Sequence, residues 1–144
     1  MKIWIEKAKA EIDRRKREEE SAKKQTEATL RIMDLLADDL EERLRSLAAE
    51  AHWPEVERFS VYKDDPPYIQ LRINMRMRSL SVEVRCDKEG SGHNKHYANP
   101  FIAVGRGGWT TIGDRFSSAE ELFTTPLFEE HIISLIITNH EKSI

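Results

Sequence analysis

The residue types best suited to binding chemistry are arginines that recur beside one predicted strand pair. Arg72, Arg76 and Arg78 alternate with apolar residues after Tyr68, and Arg85 closes the next run. Guanidinium groups, tyrosine rings and amides on an open sheet bind phosphates and stack on bases. The predicted binding residues are Tyr68, Arg72, Arg76, Arg78, Arg85 and Arg106. A charged sheet face also serves solubility alone, so the pattern leaves a solvated or helix-covered surface open.

A second group of reactive side chains falls between residues 86 and 96. Cys86, His93 and His96, with Asp87 and Glu89 beside them, are residue types that bind zinc. Their spacing matches none of the usual zinc motifs, and a second ligand pair is missing from the sequence. We therefore expect an exposed polar loop over residues 86–95 and no metal site. A zinc site would require Cys86, His93 and His96 to converge.

The glycine-rich segment 105–108 (Gly-Arg-Gly-Gly) offers backbone amides to a phosphate. No helix pattern and no Lys-Ser/Thr pair follows it, so it matches neither the P-loop nor the dinucleotide-binding motif. A hairpin turn is the expected structure. The sequence also lacks G-x-S-x-G and H-E-x-x-H motifs. We therefore expect a protein that is not an enzyme and has no cofactor.

The arginines are positioned by an alternating pattern that covers residues 68–85. Apolar side chains occupy every second position from Ile69 to Met77, and a second alternation runs from Leu80 to Val84. A period of two is typical of strands with one buried face. The pattern predicts an antiparallel hairpin with one face in the core and the other in water.

The N-terminal third predicts one or two long helices. Residues 6–52 contain neither glycine nor proline and are rich in strong helix formers. A 3,4 spacing from Ile5 to Leu40 is that of a coiled coil, although Arg15 and Glu19 fall in its seam. The charged segment around Arg15 and Glu19, residues 13–25, is therefore expected to be a solvated helix or a weak dimer arm.

The character of this predicted helix changes near residue 30. From Leu30 onward its apolar residues form an amphipathic stripe that we expect to pack on the hairpin. The helix should end near Trp53 and Pro54. We accordingly divide the chain into a projecting charged helix, residues 1–28, and one α+β globular domain, residues 29–144.

The remaining elements complete the predicted fold. Val56–Lys63 should be a first strand, and Phe101–Val104 with Trp109–Ile112 a further hairpin that begins at Pro100 or has Pro100 at an edge. Ser118 and Glu121 form a capping box, and Pro126 starts a broadly apolar last helix that must be largely buried or lie in a dimer interface. The prediction is α+β: a long N-terminal helix, an antiparallel sheet of about five strands, and one or two C-terminal helices packed on one face.

Composition limits the class of protein. The 144 residues suit one domain, 34% are charged, and the net charge of -3 is too small to indicate a partner. The single cysteine and the absence of long apolar runs lead us to expect a cytoplasmic protein without a membrane span. Charge is uneven, because residues 34–57 hold eight acids against two arginines.

Three functions remain open from the sequence. The leading hypothesis is a small non-enzymatic protein, a regulator, inhibitor or assembly subunit, that binds a protein partner of unknown identity and forms a homodimer. The first alternative is nucleic-acid binding by the arginine face. The second is an acidic helix that imitates nucleic acid and blocks a basic partner, for which the required residues are Asp38, Asp39, Glu41 and Glu42.

Overall fold

The chain folds into one long helix, a five-stranded sheet and two short helices. A computed structural model describes residues 2–64, 66–75, 79–89, 96–106 and 113–143, without the side chains of Arg106, Asn139 and residues 141–143. The elements are α1 (Lys2–Glu50), β1 (Glu57–Val61), β2 (Tyr68–Asn74), β3 (Ser79–Glu89), β4 (His96–Arg106), β5 (Arg115–Phe116), α2 (Ala119–Thr124) and α3 (Pro126–Ser143). The predicted α+β architecture is confirmed.

The sheet is an antiparallel meander in which sequence order and spatial order coincide, β1-β2-β3-β4-β5. The predicted central hairpin pairs Ile69 with Val84 and Asn74 with Ser79. β1 pairs with β2 as expected. Apolar residues of β2 therefore point to one side of the sheet, which we call the inner face, and its polar residues point to the outer face.

The segment predicted as a loop after Cys86 is partly strand. β3 continues through a bulge between Cys86 and Lys88 to Glu89, and β4 begins at His96 rather than at Pro100. Pro100 lies opposite Cys86 beside this bulge. A missing N–H is tolerated there because a bulge already interrupts the ladder. Backbone pairing across the hairpin outweighs the polar composition on which the loop prediction rested.

The described fifth strand follows the segment that was predicted as a strand. Trp109–Ile112 lies outside the described residues, and the strand that pairs with β4 is Arg115–Phe116. Just before it, a Cβ on Gly113 would lie 1.6 Å from the Val104 carbonyl oxygen. Glycine is therefore required where the chain crosses close to β4.

The core lies between the inner face and the C-terminal half of α1. Met33, Leu40 and Leu44 of α1 are fully buried against Leu71 and Val82. The stripe predicted from residue 30 onward is thus the face that packs on the sheet, where α1 contacts β2, β3 and β4. Burial of such side chains stabilises the fold by about 1.5–3 kcal/mol each.

The C-terminus of α1 is a Schellman motif at the predicted position. Trp53 N–H donates to the Ala48 carbonyl oxygen over 2.9 Å, and His52 N–H donates to that of Ala49 over 3.3 Å. His52 has a φ of 57°. Its backbone is left-handed, a conformation that glycine adopts more easily than histidine.

The C-terminal helices begin with the predicted capping box. Ser118 Oγ accepts from the Glu121 N–H, and the Glu121 carboxylate accepts from the Ser117 N–H and hydroxyl. In α3, Phe128 and Leu135 join the core while the opposite side is exposed, so this helix is only half buried. None of the described helices combines the length and hydrophobicity that crossing a membrane requires.

Candidate interaction surfaces

The outer face of the sheet carries three arginines laid over aromatic rings. The guanidinium carbon lies 5.5 Å from the ring centre for Arg72 on Phe59 and 4.8 Å for Arg85 on Tyr68. For Arg115 on Phe101 the distance is 3.7 Å. Each pair joins different strands, because cross-strand pairing brings the two side chains side by side.

The structure assembles three of the six predicted binding residues. Tyr68 lies opposite Arg85, and Arg72 lies on the same face of β2. Arg76 and Arg78 lie outside the described residues. Arg106 ends β4, and its side chain is likewise not described. Sequence reasoning missed Arg115, because nothing local in the sequence places β5 beside Phe101.

The centre of the outer face is drier than its polar sequence predicts. Ser81 and Glu83 are buried, with only 7% of Glu83 exposed. Arg85 Nε donates to the Glu83 carboxylate over 2.8 Å, and Gln70 donates to Ser81 Oγ over 3.2 Å. This part of the outer face is therefore not in water.

Charges on the outer face balance among the described residues. Arg85 pairs with Glu83, Arg115 pairs with Asp87 at 2.7 Å, and Glu57 accepts from Asn74. Arg72, Arg85 and Arg115 thus stand against three acids.

One donor on this face remains unused. Arg72 Nη2 reaches Gln70 at 3.4 Å, whereas its buried Nε has no hydrogen-bond partner within the described part of the chain. A buried donor without an acceptor costs about 1–3 kcal/mol, so an acceptor brought to the Arg72 Nε would recover this free energy.

The acidic segment of residues 34–57, which we call the acidic block, is partly neutralised by arginines of the same chain. Arg58 of β1 donates to Asp38 over 2.6 Å and to Glu41 over 2.8 Å. The bond to Asp38 raises the pKa of Arg58 against the effect of partial burial. Burial would raise the pKa of Glu41, yet the bonds from Arg58 and Arg45 outweigh it and hold that pKa below its ordinary value.

Two other acids of this block also have partners. Tyr62 donates its hydroxyl to Asp34 over 2.7 Å, and this bond raises the pKa of the tyrosine. Arg43 pairs with Asp39 at 3.2 Å. Three of the residues required for a nucleic-acid mimic therefore already form ion pairs with arginines of the chain: Asp38, Asp39 and Glu41.

Cys86 lies in the core. Its side chain is fully buried in the core, with Sγ 3.6 Å from Met33 Sδ, and burial raises the pKa of the thiol to about 11. His96 instead lies 3.4 Å from Glu89. His93 is outside the described residues, among which no three metal-binding side chains gather at one point.

The N-terminal half of α1 extends beyond the core. The first buried residues of α1 are Ala22 and Thr29. At about 1.5 Å per residue, residues 2–21 extend about 30 Å. Arg14 pairs with Glu11 and Glu18 along this segment, which supports the helix without tertiary contacts.

The beginning of this segment is apolar and exposed. Ile3, Ile5 and Ile12 are largely in solvent, and 82% of the Trp4 side chain is exposed. We call residues 2–12 the α1 tip. With 3.6 residues per turn, Trp4, Ile5 and Ile12 lie on the same side of the helix as Met33 and Leu40. The core-facing stripe of α1 thus reappears at the tip, where nothing in the described chain covers it.

A second exposed apolar surface lies on α3. Ile133, Ile136 and Ile137 are 46 to 52% exposed, on the side opposite Phe128 and Leu135. We call these three residues the α3 isoleucine face. Exposed isoleucines concentrated on one helix are typical of contact surfaces.

Comparison with known proteins adds no relative. No protein-family model, no curated protein and no solved structure matches this chain.

Proposed function

We propose that this chain is a small non-enzymatic protein that binds another protein through the exposed apolar surfaces of its helices, as a regulator, inhibitor or assembly subunit does. The observation that carries this proposal is the α1 tip, with Trp4 exposed about 30 Å from the core. Large aromatic and aliphatic side chains dominate binding energy when a partner covers them. A charged helix ending in such residues suits capture of a partner at a distance from the sheet.

Nucleic-acid binding by the outer face is the second candidate. The unused Nε of Arg72 and the three arginine-aromatic pairs favour it. Among the described residues of this face, three arginines are matched by three acids, which argues against it, because affinity for nucleic acid comes mainly from unneutralised positive charge. The acidic-mimic alternative is weakened in the same way by Arg58 and Arg43.

The experiment that tests the proposal is site-specific photo-crosslinking in cells that express the full chain. A photoreactive amino acid replaces Trp4 in one variant and Lys16, on the exposed charged part of α1, in the matched control. We expect adducts with a polypeptide from position 4 and few or none from position 16. Equal crosslinking from both positions, or none from position 4, would contradict the proposal.

The nucleic-acid alternative is separated by titration with single-stranded and duplex oligonucleotides at low and moderate salt. We expect no complex with the purified wild-type chain. A complex that weakens steeply with salt, and that is lost on replacing Arg72, Arg76 and Arg78 with alanine, would favour nucleic-acid binding by the outer face over the proposed function.

A further inference from the structure

The α1 tip and the α3 isoleucine face have complementary charges around them. The α1 tip carries three lysines, Lys2, Lys7 and Lys9, against Glu6 and Glu11, which gives a net charge of +1, and Glu11 is itself paired with Arg14 just beyond the tip. The α3 isoleucine face is flanked by exposed Glu129 and Glu130. Each surface is therefore apolar at its centre, and the net charges around the two surfaces are opposite in sign, which favours contact between them.

Geometry prevents these surfaces from meeting within one chain. Arg43 lies over the ring of Phe123, whose ring centre is 5.2 Å from that of Phe128, so α3 starts beside residue 43 of α1. Along the unbroken helix, Ile12 is about 46 Å from Arg43, whereas Ile137 is only about 14 Å along α3 from Phe128. The α3 isoleucine face therefore cannot reach the tip of its own helix.

We infer that the partner of the α1 tip is a second copy of this chain, with the tip of each copy packed on the α3 isoleucine face of the other. This inference rests on the proposed function and names its partner. One two-fold axis generates both contacts, because the tip and the face belong to the same chain and each is used once. The α1 tip and the α3 isoleucine face are then both covered, and the lysines of each tip approach Glu129 and Glu130 of the other copy.

The arrangement also explains the charged middle of the helix. Arg15 and Glu19 would be buried in the seam of a dimer that paired α1 with α1 along its length, at a cost in stability. Contact through the tip alone leaves both residues in water. Arg15 then keeps its ion pair with Glu11, which lies 3.1 Å away.

The test uses light-scattering mass of two full-length variants, alone and mixed. The tip variant carries Trp4→Glu and Ile12→Glu, and the face variant carries Ile133→Glu and Ile137→Glu. All four side chains are exposed, so both variants should retain the far-ultraviolet circular dichroism of the wild type. We expect a wild-type dimer and at least a hundredfold weaker dimerisation of each variant.

Mixing the two variants distinguishes this dimer from simpler ones. An equimolar mixture restores one intact tip-to-face contact per pair, so it should contain dimer at concentrations where each variant alone is monomeric. A tip-to-tip dimer would leave the face variant dimeric by itself, and a face-to-face dimer would leave the tip variant dimeric by itself. Either result, or a mixture that stays monomeric, would overturn the inference.

Charge reversal supplies an independent check. Replacing Glu129 and Glu130 with lysine should weaken the dimer about tenfold or more, and adding Lys7→Glu and Lys9→Glu to the same chain should restore most of the loss. Leu35→Glu changes another exposed apolar residue of α1 outside both surfaces and should leave the dimer unchanged. Loss of the dimer in this control, or no rescue by the reversed pair, would count against the inference.

Failure of this inference is distinguishable from failure of the proposed function. The wild-type chain could be monomeric at all concentrations and still crosslink from position 4 to a different polypeptide. That result would contradict the inference that the partner is a second copy, and it would support the proposed protein-binding function. A monomeric chain with no crosslink from position 4 would contradict both the inference and the proposed function.

Discussion

In α1, residues 29–48 lie against the sheet, whereas residues 2–21 extend away from it along the same axis. Leu40 and Leu44 are fully buried, and Ile5 and Ile12, on the same side of the helix, are in solvent. Both halves consist of strong helix formers. The difference therefore comes from what lies opposite each half: the inner face of the sheet for one, and nothing in the described chain for the other.

This contrast separates two ways of stabilising a helix. The packed half depends on apolar burial, which contributes kilocalories per side chain. The extended half depends on ion pairs such as Arg14 with Glu18, which are exposed and individually weak. Changes of the same type should therefore have very different effects in the two halves.

The largest difference is expected for removal of apolar side chains. Leu40→Ala should lower the free energy of unfolding by about 2–5 kcal/mol, because it leaves a cavity in the core. Ile12→Ala, measured by urea denaturation at low protein concentration, should change it by less than about 0.5 kcal/mol. A comparable loss from both would mean that residues 2–21 are packed in the isolated chain.

Ion pairs should follow the same order with smaller effects. Arg85→Ala leaves the buried Glu83 carboxylate without its guanidinium and should cost about 1–3 kcal/mol of unfolding free energy. The additional change Glu83→Gln should recover part of this loss. Arg14→Ala, which breaks an exposed pair on the extended half, should leave the unfolding midpoint unchanged in the same assay.

A substitution at the C-terminal end of α1 should have a smaller effect, and this one should stabilise the protein. His52→Gly should raise the free energy of unfolding by about 0.5–1 kcal/mol, because glycine adopts the left-handed backbone at this position without steric cost. His52→Ala keeps the Cβ and should give no gain. Equal stabilisation by both variants in thermal denaturation would mean that the imidazole, rather than the backbone, is unfavourable.

The smallest effect is local to the extended half. Hydrogen bonds from Arg14 and then Arg15 lower the pKa of Glu11 to about 2, from an ordinary value of 4.5. Since the pKa is lowered in the helix, this stabilisation is present above pH 4.5 and is lost as the pH falls towards 2. A carboxyl NMR titration should find a low pKa for Glu11 in the wild type and a higher one after Arg14→Gln. A wild-type value near 4.5 would contradict the ion-pair ladder.

The spacing of apolar residues along the sequence was sufficient to predict the central hairpin and the packed half of α1. Alternation from Ile69 to Val84 predicts paired strands with a common buried side, and the register places Ile69 opposite Val84. The stripe from Met33 to Leu44 likewise predicts the face that is buried. Local signals worked as well at the end of α1 and at the Ser118 capping box, because these depend on residues a few positions apart.

Predictions that depended on distant neighbours were less successful. Polar composition suggested a loop after Cys86, but the chain continues as strand because β4 supplies its hydrogen bonds. Glu83 was expected in water and is buried, with its carboxylate paired to Arg85 two positions along the same strand. Arg115 escaped notice because its partner Phe101 is fourteen residues away.

The sequence by itself determined the kinds of elements, their order and which side of each is apolar, because these follow from residue type and period within a few positions. Only the tertiary structure decided which apolar sides are covered. Covering requires a second surface brought close by the fold, and the buried positions of α1 begin only at Ala22. Trp4 and Ile133 have the same kind of residue pattern as the core, and they remain exposed because no other part of the described chain reaches them.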